Sequence, residues 1–377
     1  MLFESNPPIW DAYQHLGRAQ GIGHFGRLPE GLQEYPKNWP GAFLLVSFLN
    51  ALSSVGHFEM LSLFPFLTGG LTFLGLFVFL RWLLPIGPAV GGSLLGSLLN
   101  VWAQFHLSPQ SVGLFLGLLV LATAWQRRIP MRLASTMLFV GLVITHPTSA
   151  VLILGILIVD AALTQLRRIW RRGKPAEAKT DRAFAYSPAL PFGSVWVAWL
   201  FFQATGSSQV AETTILTRIG SILQIPEETL GLAAARSVEN IFFLPPVIRL
   251  GSLLVYAIVG LVALGLLTRR AETRRLAQFF WAALITVIVI AGADILLVQG
   301  LFFDRALMLA ALLVPALCFA GIGLSKMRRT TRGAIAAILL VGSLASASTI
   351  YYQEAFYFVS DKSIAVTELL QRVEGPS

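Results

Sequence analysis

The chain has 377 residues, of which 55% are hydrophobic and only 12% are charged, and its mean hydropathy is +0.72. Soluble domains carry roughly 25% charged residues, so this composition excludes an ordinary soluble protein and indicates an all-α polytopic membrane protein. The net charge of +9 does not indicate nucleic-acid binding, because most basic residues lie in connections between apolar segments. Cys318 is the single cysteine, which excludes a disulfide framework and a cysteine-based metal site.

Apolar segments follow one another along the chain and predict about 10–11 membrane helices, since about 20 helical residues cross roughly 30 Å of hydrocarbon. Residues 1–40 are predicted to form an outer acidic loop. Residues 41–352 are predicted to form the membrane domain, with an outer loop at 204–246. Residues 353–377 are predicted to begin an outer C-terminal segment. The apolar segments are 43–55, 61–80, 87–104, 110–125, 133–145, 148–166, 190–202, 250–268, 276–298, 306–324 and 334–351.

Basic residues are concentrated in alternate connections between these segments. Five such connections hold 19 of the 28 Lys and Arg residues but only 3 of the 19 acids: Arg81, 127–132, 167–182, 269–275 and 326–332. An excess of Lys and Arg in short loops marks the cytoplasmic side of a membrane protein. The other connections are therefore expected to face outward, and they carry Asp11, His15, Glu59, His106, His146, Asp304 and Arg305.

Residues 133–166 are predicted to form a hairpin of two short helices, because basic connections lie on both sides of these 34 residues. The first arm has about 13 residues and covers about 20 Å. The turn then lies below the outer surface, which a bilayer tolerates only beside protein or a water-filled cavity. We therefore expect a recess that opens outward, with a water-accessible His146 at its floor.

Segment 43–55 is also short for a membrane crossing. If residues 1–40 lie outside, the segment does not cross fully, because the next segment already runs from outside to inside. If it does cross, residues 1–40 are cytoplasmic. We favour the outside placement, because residues 1–40 carry three basic and four acidic groups and thus no positive excess.

Three helix starts at the outer face are candidate phosphate sites: the Ser-Pro pair after His106, the His146-Pro147 pair, and Asp304-Arg305. Helix N-termini carry partial positive charge and free N–H groups, so several of them beside an arginine can hold a phosphate. Each also has a purely structural interpretation, either as a residue pair that favours the start of a helix or as an ion pair. Arg305 is the strongest candidate, because it follows apolar residues at the membrane boundary, where an unpaired arginine is costly. Asp160, near a cytoplasmic basic cluster, is interpreted as structural.

Short motifs along most of the chain resemble a known family. The N-terminal segment reads Trp10-Asp11-Ala12-Tyr13-Gln14-His15 and later Tyr35-Pro36-Lys37-Asn38-Trp39-Pro40-Gly41. With Leu107-Ser108-Pro109-Gln110, Thr145-His146-Pro147-Thr148 and Phe303-Asp304-Arg305, it resembles prokaryotic GT-C class membrane glycosyltransferases. Members of that class usually have a membrane span before the acidic loop, so we expect this sequence to lack the first span. A paired Asp-x-Asp is absent, which argues against a metal-dependent version.

The resemblance implies an enzyme that moves a sugar from a polyprenyl-phosphate-type donor to a glycan, lipid or protein acceptor. The reaction would occur on the outer face of the prokaryotic plasma membrane, with membrane lipids as further partners. Asp11 would be the catalytic base, and Arg305 with the His106 and His146 helix starts would hold the lipid phosphate. Glu59 would bind the acceptor or a divalent cation, Mg²⁺ or Mn²⁺, which is the only cofactor considered. His15 and Asp304 complete the implied substrate-binding residues.

Two other classes of function are compatible with the sequence. A transporter or flippase would also have an outward cavity, but transporters usually contain internal repeats with interrupted spans at matched positions, and the segments show none. A non-catalytic membrane scaffold or assembly subunit would need only the packed spans. The presence of Asp11, His15 and Arg305 favours a transferase over a scaffold.

Overall fold

The structure is a computed structural model that describes residues 10–28, 34–53, 55–103, 106–126, 128–170, 187–205, 244–297, 303–324 and 327–349. The expected C-terminal segment at 353–377 and most of the expected outer loop at 204–246 lie outside the described residues. The described residues form thirteen α-helices and no strand. In chain order they are α1 Trp10–Phe25, α2 Glu34–Asn38, α3 Gly41–Leu52, α4 His57–Leu83, α5 Ile86–Leu99, α6 Pro109–Thr123, α7 Ile129–Thr145, α8 Pro147–Trp170, α9 Ala189–Phe202, α10 Leu244–Arg269, α11 Arg274–Leu297, α12 Phe303–Leu324 and α13 Arg329–Ser348.

Helices α3 to α13 correspond one by one to the apolar segments of the sequence, which confirms the all-α polytopic fold class. Five of these helices are apolar but short, with 12 to 17 residues. The six that are long and apolar enough to cross a membrane contain Glu59–Leu83, Pro147–Trp170, Val247–Arg269, Arg274–Asp294, Asp304–Leu324 and Arg329–Ser348.

Helix α1 lies inside the segment that was expected to be an acidic loop. Its buried side chains recur every three or four residues, which is the spacing of one helix face. They pack against Phe43 and Val46 of α3 and against Leu61 and Phe64 of α4. This packing fixes α1 on the membrane helices. The buried α1 side chains are Ala12, Leu16, Ala19 and Ile22.

Helices α5 and α12 approach each other closely through glycines. A Cβ atom at Gly92 would lie 2.9 Å from the Cα of Ala316, and one at Gly96 would lie 2.8 Å from the carbonyl oxygen of Leu312. Small residues four apart let the backbones of membrane helices come into contact. The glycines of α5 therefore fix the position of α12, whose first turn carries Arg305.

Helix α3 begins and ends at the same end of the bundle. A Cβ atom at Gly41, where α3 starts, would lie 2.5 Å from Oγ1 of Thr145, the last residue of α7. At its other end, α3 is separated from the start of α4 at His57 by only four residues. The end of α7 and the start of α4 both lie opposite the basic connections, so α3 does not cross the bundle. This agrees with the placement of residues 1–40 that the charge pattern favours.

The basic end of the bundle is stabilised by an ion pair centred on Asp160 of α8, which is 5% exposed. The Arg275 guanidinium of α11 donates to both carboxylate oxygens, at 2.5 and 2.8 Å. Gln278 donates to Oδ1 at 2.9 Å and Trp125 to Oδ2 at 3.2 Å. This network supports the structural interpretation of Asp160, because it ties α8 to α6 and α11.

Replacing Asp160 with alanine should strongly destabilise the fold. The change leaves Arg275 and Gln278 without their shared acceptor, and breaking one side of a buried ion pair costs about 3–5 kcal/mol. We expect a correspondingly lower free energy of unfolding in a detergent titration. The control is Glu272→Ala, an exposed acid near the same end, which should change stability by no more than about 0.5 kcal/mol. Equal stabilities for the two variants would contradict the structural role.

The charge pattern also predicts which end of the bundle faces the cytoplasm. Ala271 lies exposed between α10 and α11 among basic residues, whereas Gln203 lies exposed at the opposite end, after α9. In a Cys318→Ala background, we expect a membrane-impermeant maleimide to label Gln203→Cys in intact cells. Ala271→Cys should be labelled only after the cells are permeabilised. The reverse labelling pattern would overturn the orientation.

Candidate active site

Helix α1 places three polar side chains close together at the end of the bundle opposite the basic connections. Asp11, His15 and Arg18 follow each other at intervals of four and three residues, so they share one side of the helix. Nε2 of His15 lies 3.2 Å from Oδ2 of Asp11. Nη1 of Arg18 lies 3.3 Å from Nδ1 of the same histidine. The result is a chain of polar contacts that begins at the Asp11 carboxylate.

His106 joins this cluster from a distant part of the sequence. Its Nε2 lies 3.4 Å from Oδ2 of Asp11, the same oxygen that His15 contacts. The backbone here is fixed by Ser108, whose hydroxyl accepts a hydrogen bond from the Ser111 amide, and by Ser111, whose hydroxyl donates to the His106 carbonyl. The buried side chain of Leu107 anchors the same turn in the α1 packing cluster.

The Asp11 carboxylate is an anion held between two imidazoles. Burial by itself raises the pKa of the carboxyl group, but hydrogen bonds and electrostatic attraction from His106 and His15 outweigh it. The net effect holds the pKa of Asp11 well below its ordinary value. Its side chain remains 32% exposed, so an ionised carboxylate at neutral pH is accessible to a ligand.

Arg305 supplies positive charge near the cluster. It lies in the first turn of α12, half-buried, and within electrostatic range of Asp11, Tyr35 and His146. Burial raises the pKa of Tyr35, while the positive charges of Arg305 and Arg18 act against that rise. Asp11 and Arg305 thus act on each other electrostatically, and a shared site for the two residues stays a prediction.

His146 is buried, so the expectation of a water-accessible histidine was wrong. The residue is 6% exposed, and its Nδ1 lies 2.8 Å from the Ser149 hydroxyl. A Cβ atom at Gly113 would lie 2.6 Å from the His146 Cβ, so α6 covers the turn closely. The first arm is also longer than expected, because α7 already begins at Ile129. His146 is therefore a buried residue immediately before α8 that lies within electrostatic range of Arg305.

Two other candidate residues lie at the edge of the site or outside it. Glu59 is exposed, and its carboxylate folds back over the start of α4: a Cβ atom at Gly56 would lie 1.8 Å from a carboxylate oxygen. It is thus a helix-start residue, and among the described residues it makes no hydrogen bond or ion pair with the Asp11 cluster. Asp304 is also exposed, and its charge acts on the neighbouring Arg305.

Among the described residues, no ligand set forms for the divalent cation that the resemblance allows. Among the residues that the structure describes, no group of three His, Cys, Asp or Glu side chains is arranged to hold a metal ion. Oδ2 of Asp11 is shared by two imidazoles, and Glu59 points elsewhere.

Sequence analysis missed Arg18 and Tyr35 as members of the site. Arg18 lies one helical turn after His15, so the prediction of a helix over residues 10–25 would have placed it there. Tyr35 was visible only as part of the family-like Tyr35-Pro36 motif. Its short helix α2 is held near the membrane helices because Nε1 of Trp199 donates to the carbonyl of Asn38 at 3.0 Å.

No protein-family model matches the sequence, and a search of the curated proteins found no significant match. The site geometry is therefore the main evidence about function. It combines an ionised carboxylate, two imidazoles and a half-buried guanidinium at one end of a bundle of membrane helices.

Proposed function

We propose that this protein is a membrane glycosyltransferase that moves a sugar from a polyprenyl-phosphate-type donor to an acceptor hydroxyl. The observation that supports it most strongly is the position of the Asp11–His15–His106 cluster within electrostatic range of Arg305. Asp11 and its two histidines can take part in activating a hydroxyl, and Arg305 can bind a phosphate. Glycosyl transfer from a lipid phosphate needs both in the same site.

The donor would bind with its phosphate at Arg305. A guanidinium forms charge-assisted hydrogen bonds with phosphate oxygens, and partial burial strengthens them. Arg305 lies at the start of an apolar helix of 22 residues, where a lipid headgroup would meet the end of the bundle. The polyprenyl chain would then lie along the apolar outer surface of the membrane helices, among the lipids.

The acceptor would bind on the Asp11 side of the same site. The resemblance to GT-C enzymes assigns the activating role to a carboxylate in this position. Because the opposite end of the bundle carries the basic connections, we propose that the site faces outward in a prokaryotic plasma membrane. The acceptor would then be a glycan, lipid or protein of the cell envelope.

A transfer assay with the full chain tests this function. The purified protein in lipid vesicles would be given a panel of polyprenyl-phosphate hexoses and pentoses, with an envelope extract as the source of acceptors. We expect one donor to release polyprenyl phosphate while its sugar appears on an acceptor. Movement of the intact donor across the bilayer would show a flippase instead. Neither release nor movement with any donor would favour the membrane scaffold.

A further inference from the structure

The two histidines that contact Asp11 differ in what their second ring nitrogen contacts. Nδ1 of His15 lies 3.3 Å from Nη1 of Arg18. A guanidinium can only donate hydrogen bonds, so this nitrogen is the acceptor and Nε2 of His15 carries the proton that faces Asp11. Both nitrogens of His15 are therefore engaged in the cluster itself.

Only one of the two ring nitrogens of His106 is engaged in the cluster. Its Nε2 faces Oδ2 of Asp11 at 3.4 Å, and an ionised carboxylate can only accept, so that nitrogen carries the proton. Nδ1 then presents a lone pair, and it has no hydrogen-bond partner among the described residues. The ring is only 10% exposed and is set on a turn that Ser111 fixes. The lone pair is thus held in a defined position.

We propose that His106 is the catalytic base of the reaction, with Nδ1 as the proton acceptor and Asp11 as the residue that positions its ring. This inference rests on the proposed glycosyltransferase function. It differs from the role that the family resemblance assigns, in which Asp11 itself takes the proton.

The step balances without any further reactant. The acceptor hydroxyl gives its proton to Nδ1 of His106, and its oxygen forms a bond to the anomeric carbon of the sugar. The bond from that carbon to the phosphate oxygen breaks, and its electron pair leaves with the polyprenyl phosphate anion beside Arg305. The imidazolium then returns its proton to water. Asp11 stays ionised throughout and stabilises the positive charge on His106.

Electrostatics favour this division of roles. The same imidazole contacts that stabilise the Asp11 anion make it a weak base, because they hold the pKa of its carboxyl group low. An imidazole whose far nitrogen faces a carboxylate keeps the tautomer in which its near nitrogen can accept a proton. Among the described residues, Arg18, Arg305 and Tyr35 also interact electrostatically with Asp11 or contact His15.

Substitution of His106 with chemical rescue tests the proposal. His106→Ala should lower the rate of transfer by about 10²- to 10⁴-fold, the usual contribution of a general base, without weakening binding of a polyprenyl monophosphate. Added imidazole should restore part of the rate in a saturable manner, because it can occupy the vacated space and accept the proton. A residue that is merely structural would not show this rescue.

Two further variants keep the result interpretable. His106→Gln preserves a donor toward Asp11 and most of the volume, so it should fold and still lack the base. His24→Ala, an exposed histidine near the end of the same helix α1, should neither lose activity nor respond to imidazole. If the wild-type protein transfers sugar while both His106 variants stay within about tenfold of its rate, the role of His106 is overturned. A wild-type protein that transfers no sugar overturns the proposed function as well.

Discussion

Asp11→Asn should abolish most sugar transfer while binding of the lipid phosphate is retained. The substitution removes the negative charge that His15 and His106 share. It also introduces an amide donor, which would push the proton of His106 onto the nitrogen that should accept it. Loss of a general base or of its correct tautomer lowers turnover by about 10²- to 10⁴-fold. The measurement is the rate of polyprenyl phosphate release at a saturating donor concentration.

Binding and activity must be measured on the same samples of this variant. The affinity for a polyprenyl monophosphate should stay near that of the wild type, because Asp11 lies on the acceptor side of Arg305. Glu59→Gln is the matched control, since Glu59 is an exposed acid outside the cluster. It should transfer sugar at the wild-type rate. Normal transfer by Asp11→Asn would remove the central element of the mechanism.

Arg305→Ala should weaken donor binding and turnover together. A hydrogen bond to a charged group contributes about 1.5–3 kcal/mol, which corresponds to roughly 10- to 150-fold in affinity for a phosphate. The same contact would stabilise the departing phosphate, so the rate at saturation should fall too. Arg305→Lys should recover only part of the affinity, because lysine keeps the positive charge but cannot form a bidentate contact with phosphate.

The control for Arg305 is an arginine elsewhere in the bundle. Arg329 is exposed in the first turn of α13, at the basic end. Arg329→Ala should leave the affinity for a polyprenyl monophosphate unchanged, and polyprenol, which has no phosphate, should bind Arg305→Ala and the wild type equally. Equal phosphate affinity in Arg305→Ala and the wild type would remove the anion site from the account.

The folded state of the site should tolerate a wide pH range. The pKa of Asp11 lies below its ordinary value in the folded protein. A depressed pKa contributes stability that is present above the unfolded-state pKa and is lost only as the pH falls through the folded-state value. The contact between α1 and the turn at His106 should therefore persist at neutral and mildly acidic pH.

Hydropathy made the membrane helices predictable, but it gave no signal for helix α1. A long apolar run has few alternatives to a buried or membrane helix, so each of the segments was found. Helix α1 is anchored by small or isolated apolar residues such as Ala12 and Ala19. Its sequence is interrupted by Gly17, Gly21 and Gly23, which weaken the helical signal.

The site was only partly predictable for a similar reason. Asp11 and His15 are one helical turn apart, so their contact needs only α1. The contact with His106 joins residues 95 positions apart, which requires the packing of α1 on α3 and α4. The burial of His146 likewise depends on the approach of Gly113 from another helix. No local pattern in the sequence carries that information.

A single-turnover experiment on three proteins tests whether Asp11 and Arg305 act in a single site. Wild type, Asp11→Asn and Arg305→Ala would each be loaded with the donor that the wild type uses, and donor affinity and the rate of sugar transfer would be measured separately. We expect Asp11→Asn to keep its donor affinity and to lose most of its rate of sugar transfer, whereas Arg305→Ala should lose both. Transfer at the wild-type rate by Asp11→Asn, or wild-type affinity in Arg305→Ala, would contradict a single site that joins the two residues.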